Sequence, residues 1–141
     1  MAITVTVYPS FKERLVEDVN MGSDTFKVIL LNNSHTYNSA HDELADVTAN
    51  QLSTANGYTS GGATLSSVTS SQTGGTYTFD AADVTWTASG GAITAYYAVI
   101  YDDTLSGDPL VCSINFDGVQ TAADGAQFKL IWNASGIFTL A

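Results

Sequence analysis

The chain has 141 residues, a length that suits one domain, and 45% of them are apolar against only 13% charged. Fourteen acids stand against four bases, a formal net charge of −10, and no Lys or Arg occurs from Val28 to Phe128. Phosphate backbones and anionic membranes are bound by clustered Lys and Arg, so nucleic acid and membrane are both set aside as partners. A surface covered by neutral Ser, Thr, Asn and Gly instead loses little hydration energy when a protein partner covers it. No apolar run approaches the ~20 residues of a membrane span, and no basic-then-apolar leader opens the chain. The single Cys112 has no intrachain partner and reads as a buried free thiol, so synthesis in a reducing cytoplasm is expected.

Met1 to Tyr8 alternates, with Ile3, Val5 and Val7 on one side and Thr4 and Thr6 on the other, which predicts a half-buried strand or arm. Pro9 should end it. Ser10 with Glu13 three residues later forms a capping-box pattern for a helix from Phe11 to about Val19, burying Phe11, Leu15, Val16 and Val19, with Gly22 as the stop. Thr25–Leu31 is nearly continuous apolar and predicts a central strand. A polar passage, Asn32–Asn56, follows, with one short helix expected over Ala40–Val47. Between the turn pairs Gly61-Gly62 and Gly74-Gly75, the residues Ala63, Leu65 and Val68 suggest a modest strand.

The C-terminal half is the most regular. Six short segments are rich in β-branched and aromatic residues: Thr76–Phe79, Val84–Ala88, Ile93–Tyr101, Leu110–Phe116, Phe128–Trp132 and Ile137–Leu140. Gly, Asn, Asp or Ser separates each from the next. The pattern predicts a mainly β protein: a single antiparallel β-sandwich or jelly-roll-like domain over residues 1–141, with one short N-terminal helix.

Chemistry has little to stand on. His35 and His41, near Asp42, Glu43 and Asp46, could hold a metal, but their spacing of six matches no zinc-ligand couple, and solvated or turn-organising roles are the simpler reading. Asp80 with Asp83, and Asp102 with Asp103, could contribute to a Ca²⁺ site. No EF-hand spacing is present, and Asp is a common turn former. No nucleophile elbow, P-loop or dinucleotide fingerprint occurs. The Asn32 and Asn133 acceptor patterns read as chance. Tyr58, Tyr77, Tyr96, Tyr97, Tyr101, Trp86 and Trp132 could stack on sugars, but core or interface packing fits their strand positions better. The expectation is no enzyme, with no catalytic, cofactor or metal residue.

Four segments are similar to a widespread family of small structural proteins of tailed bacteriophages: Tyr37–Val47 (YNSAHDELADV), Asn56–Leu65 (NGYTSGGATL), Phe79–Tyr101 (FDAADVTWTASGGAITAYYAVIY) and Phe128–Leu140 (FKLIWNASGIFTL). A helix like Ser10–Val19 after a short strand belongs to the same likeness. The resemblance implies a virion protein without a catalytic site. It implies either a capsid decoration (cement) protein on the outer head surface or a tail or head–tail component, and the small, weakly charged β-domain favours decoration. The implied partners are the major capsid protein and further copies of the chain; a glycan-binding surface module is the rival reading. Ile3, Val5 and Val7 are the candidate edge for pairing with a neighbour, and Lys12 and Arg14 the candidate contacts to an acidic capsid.

Overall fold

The computed structural model describes residues 3–141; Met1 and Ala2 of the first expected strand lie outside them. In chain order the elements are β1 (Thr4–Val7), α1 (Pro9–Glu17), β2 (Phe26–Leu31), β3 (Ala63–Thr64), β4 (Thr69–Thr73), β5 (Thr76–Asp80), β6 (Val84–Thr87), β7 (Ile93–Asp102), β8 (Leu110–Ala122), β9 (Gln127–Leu130) and β10 (Phe138–Leu140). The protein is mainly β, and every strand pairing among the described residues is antiparallel. The main sheet runs β1-β8-β7-β2-β3, and two smaller sheets run β10-β5-β4 and β6-β9.

The pairing register sorts the main sheet into two faces. Val28 lies opposite Ile100, Leu30 and Ile114 opposite Ala98, and Val5 and Val7 opposite Ile114 and Cys112, so these side chains share one face. The small sheets cover that face. Phe26 packs on Phe79 at 5.3 Å between ring centroids, Phe79 on Phe138 at 5.2 Å, and Phe138 edge-on against Phe11 of α1 at 6.1 Å. A second run of rings, Trp86, Phe128 and Phe116, fixes β6 and β9.

The other face carries Ile29, Leu31, Val99, Tyr97 and Tyr101, and residues 32–62 cover it with almost no regular structure. His35 stacks edge-on against Tyr97 at 4.9 Å, and the Tyr101 hydroxyl donates to the Gly61 carbonyl at 2.7 Å. Within the polar passage Asn32–Asn56, Val47 is buried and so is His35, and Tyr58 just beyond it is buried as well. Asn32, Asn38 and Asn133 each accept the backbone N–H two residues on, which makes them turn formers.

Three expectations are corrected. β1 ends before Pro9 as expected, but Pro9 itself occupies the first helical turn, where its missing N–H costs nothing, and Tyr8, not Ser10, stands at the N-cap. Ser10 therefore caps nothing, and its hydroxyl donates to the His41 carbonyl at 3.1 Å. Val16 is 87% exposed, because only Phe11 and, in part, Leu15 of α1 face the sheet. Ala40–Val47 forms no α-helix: Leu44–Asp46 and Thr48–Asn50 make single 3-10 turns, the first closed by a capping box between Glu43 and Asp46.

Candidate interaction surface

β1 is the edge strand of the main sheet. Its hydrogen-bonding phase is fixed by the Tyr8 N–H, which donates to the Val111 carbonyl at 3.0 Å in the same register. Bonded and non-bonded pairs alternate in an antiparallel ladder, so Thr4 and Thr6 bond β8 while Val5 and Val7 turn their N–H and C=O outward. Among the described residues, no backbone group takes up that outer side.

A groove of about 280 Å³ runs beside this strand, where the main sheet and the covering layer part. Ile3, Val5 and Ile114 form one wall, and Leu130, Ile131 and Ile137 the other, with Asn133 and Gly136 at one end. Its lining contains no charged residue. Ile3 also borders a second hollow beside Phe116 and Phe128, so it stands as a ridge between two depressions. Ile3 is 42% exposed and Ile131 63%, unusual for large apolar side chains on one small surface. Two of the expected edge residues, Ile3 and Val5, are thus brought to the groove, while Val7 packs half-buried against the core. Ile131 was missed as a site residue. The signal was present: in Phe128–Trp132 it is the apolar residue in the phase that Lys129 marks as outward.

The basic residues fare differently. Arg14 is drawn onto the protein's own carboxylates: Asp42 at 3.2 Å, Asp18 at 3.4 Å and Glu43 at 3.6 Å. Its hydrogen bond to Asp42 raises the guanidinium pKa, and its charge is spent on fastening α1 to the 42–43 turn. Lys27 pairs with Asp103 at 3.2 Å. Lys12 is exposed and makes no ion pair among the described residues.

The other candidates are occupied by structural roles. Asp46 accepts the N–H groups of Asp42 and Glu43, which lowers its pKa, Asp80 accepts the Ala81 N–H, and Asp83 accepts the Trp132 N–H. Among the described residues, no three His, Cys, Asp or Glu side chains converge to hold a metal. His35 is buried, which lowers its pKa, with nearby His41 adding to the effect. Tyr58 and Trp86 lie in the core, and the Trp132 indole donates to the Ala82 carbonyl, so these rings form no exposed platform.

No protein-family model, curated protein or solved structure matches the chain.

Proposed function

We propose that this chain is a non-enzymatic structural protein of a tailed-bacteriophage virion, most simply a decoration (cement) protein that binds the outer head surface and stabilises it. The observation that carries this reading is the open β1 edge beside an uncharged apolar groove. It is a surface built for covering, on a molecule whose other polar clusters serve its own turns. The likeness of four segments to small phage structural proteins supplies the particle. The major capsid protein is the partner this implies, and Lys12, uncommitted on the exposed side of α1, is the cation suited to an acidic capsid.

Purified protein added to heads lacking it should co-sediment with them and raise the temperature at which they release DNA. Lys12→Glu should weaken that binding at low salt and little at high salt, because rim charges act through screened attraction. Heads that bind none of the protein at any ratio would overturn the proposal, and binding to isolated tails instead would move the chain to the tail.

A further inference from the structure

Soluble proteins ordinarily blunt an edge strand with a charge, a proline, a bulge or a cover. Here β4, at the edge of its sheet, is wholly polar, and β3 is only two residues long. Among the described residues, β1 carries none of these devices: Thr4, Val5, Thr6 and Val7 are all strong strand formers without charge. On a chain of formal charge −10, an area free of carboxylates is where a second equally acidic body meets least repulsion. The area is also self-complementary. It offers two exposed apolar side chains, Ile3 and Ile131, flanking a groove lined by Val5 and Ile137 that the same side chains of a second copy would enter.

We infer that the occupant of this edge is the β1 strand of a second copy of the chain, antiparallel to the first across a two-fold axis at Val5. The inference rests on the reading of the β1 edge as an interface; it assigns that edge to a second copy and leaves the exposed side of α1, with Lys12, to face the head. An axis at Val5 is the placement that pairs all three outward residues with one another: Ile3 against Val7 of the partner subunit, Val5 against its own counterpart, and Val7 against Ile3. These are β-branched cross-strand pairs throughout, each bonded by the N–H and C=O groups that β8 leaves free. The two five-stranded sheets become one continuous sheet, and the two grooves meet at the axis.

The test uses the isolated full chain. In a bonded antiparallel pair the Cα atoms lie about 5.5 Å apart, within the span a disulfide bridges. Val5→Cys should therefore cross-link to itself under mild oxidation, giving a covalent dimer that reduction reverses. Cys112 is fully buried and does not compete. Val119→Cys, at an exposed position of β8 outside the stretch that pairs with β1, is the control and should stay monomeric on the same timescale. By sedimentation, the wild-type chain should pass from monomer to dimer with concentration, more readily at ~0.3 M than at ~0.02 M NaCl, because salt screens the repulsion of like-charged subunits. Ile3→Asp should shift the protein to monomer with an unchanged far-ultraviolet spectrum. A wild-type chain that stays monomeric up to millimolar concentration at high salt, or Val119→Cys cross-linking as fast as Val5→Cys, would overturn the pairing. All of this is read without particles. A dimer that fails to bind heads sinks the virion role alone, and a monomer that binds them sinks the pairing alone.

Discussion

Asp102 closes β7 as a fully buried carboxyl. One oxygen accepts the Thr104 N–H at 2.8 Å, and the other is buried with no hydrogen-bond partner among the described residues. Burial first, and Asp24 second, push the Asp102 pKa up to about 7 from 3.8. A folded-state pKa above the unfolded value means that the folded protein holds the proton more tightly. The stability it contributes is full below about pH 4 and is lost as pH rises through about 7. His35 acts with the opposite sign: its depressed pKa favours the folded state above the unfolded value of 6.5 and penalises it as pH falls. Asp102→Asn keeps the acceptor for Thr104 and removes the titrating carboxyl. The variant should lose the decline in melting temperature between pH 4 and 7 and melt above wild type at pH 8. An unchanged slope would show that Asp102 takes up no proton in this range. Gly62 makes a second residue-scale case. Its φ is +79°, and a Cβ there would strike the Val28 carbonyl oxygen of β2. Gly62→Ala should cost about 2–4 kcal/mol, from left-handed strain together with displaced backbone, measurable by denaturant unfolding.

At the scale of the element, β2 shows how a strand survives the early end of its neighbour. β3 pairs only with Lys27 and Val28, which leaves the edge of β2 bare from Ile29 onward. The 50–58 loop completes it: the Leu52 N–H donates to the Leu30 carbonyl at 3.0 Å, the Asn32 N–H to the Asn50 carbonyl at 2.9 Å, and the Leu30 N–H to the Tyr58 hydroxyl at 3.1 Å. That hydroxyl in turn donates to Gln51 at 3.0 Å. Tyr58→Phe removes the acceptor while keeping the ring, so a buried N–H is orphaned. The expected cost is about 1–3 kcal/mol in unfolding free energy, with faster hydrogen exchange at Leu30 than at its β7-facing neighbours. None of this was legible beforehand, since backbone partners far apart in sequence leave no mark on composition. What was legible is equally specific. The six C-terminal strands fall where β-branched and aromatic runs meet Gly or Asp breaks, and β2 is the apolar run of Thr25–Leu31. β4 escaped because TSSQT has no apolar residue; it is a strand only because the Gly74-Gly75 turn folds it onto β5. β8 runs past Phe116 to Ala122 because an irregularity sets the single residue Tyr96 opposite Phe116–Val119, with Asp117 and Gly118 at positive φ. Periodicity fails at such a break. For the candidate surface, the alternation of Ile3, Val5 and Val7 pointed to the strand, but its place at the sheet edge depends on pairing with β8, over a hundred residues away.

For the whole molecule, charge is the governing quantity. The fourteen acids, offset by only four bases, repel one another in the compact state, and the ion pairs of Arg14 and Lys27 sit on partly exposed carboxylates, where each contributes at most about 1 kcal/mol. Screening should therefore outweigh the loss of these pairs, and the melting temperature at neutral pH should rise with NaCl up to physiological ionic strength. A fall with salt would mean that the Arg14 network matters more than the net charge. Arg14→Gln tests the same balance locally: it should loosen α1 from the 42–43 turn and raise proteolytic nicking there, with little effect on global unfolding.

The β4–β5 hairpin has one more consequence. Its strands end in a two-residue Gly74-Gly75 turn with both φ angles positive, β4 is exposed along its length, and side chains added at either glycine would meet nothing within 4 Å. A foreign peptide spliced between Gly74 and Gly75 would be held clear of the core. That tip would turn the protein into a mount for a displayed epitope or enzyme.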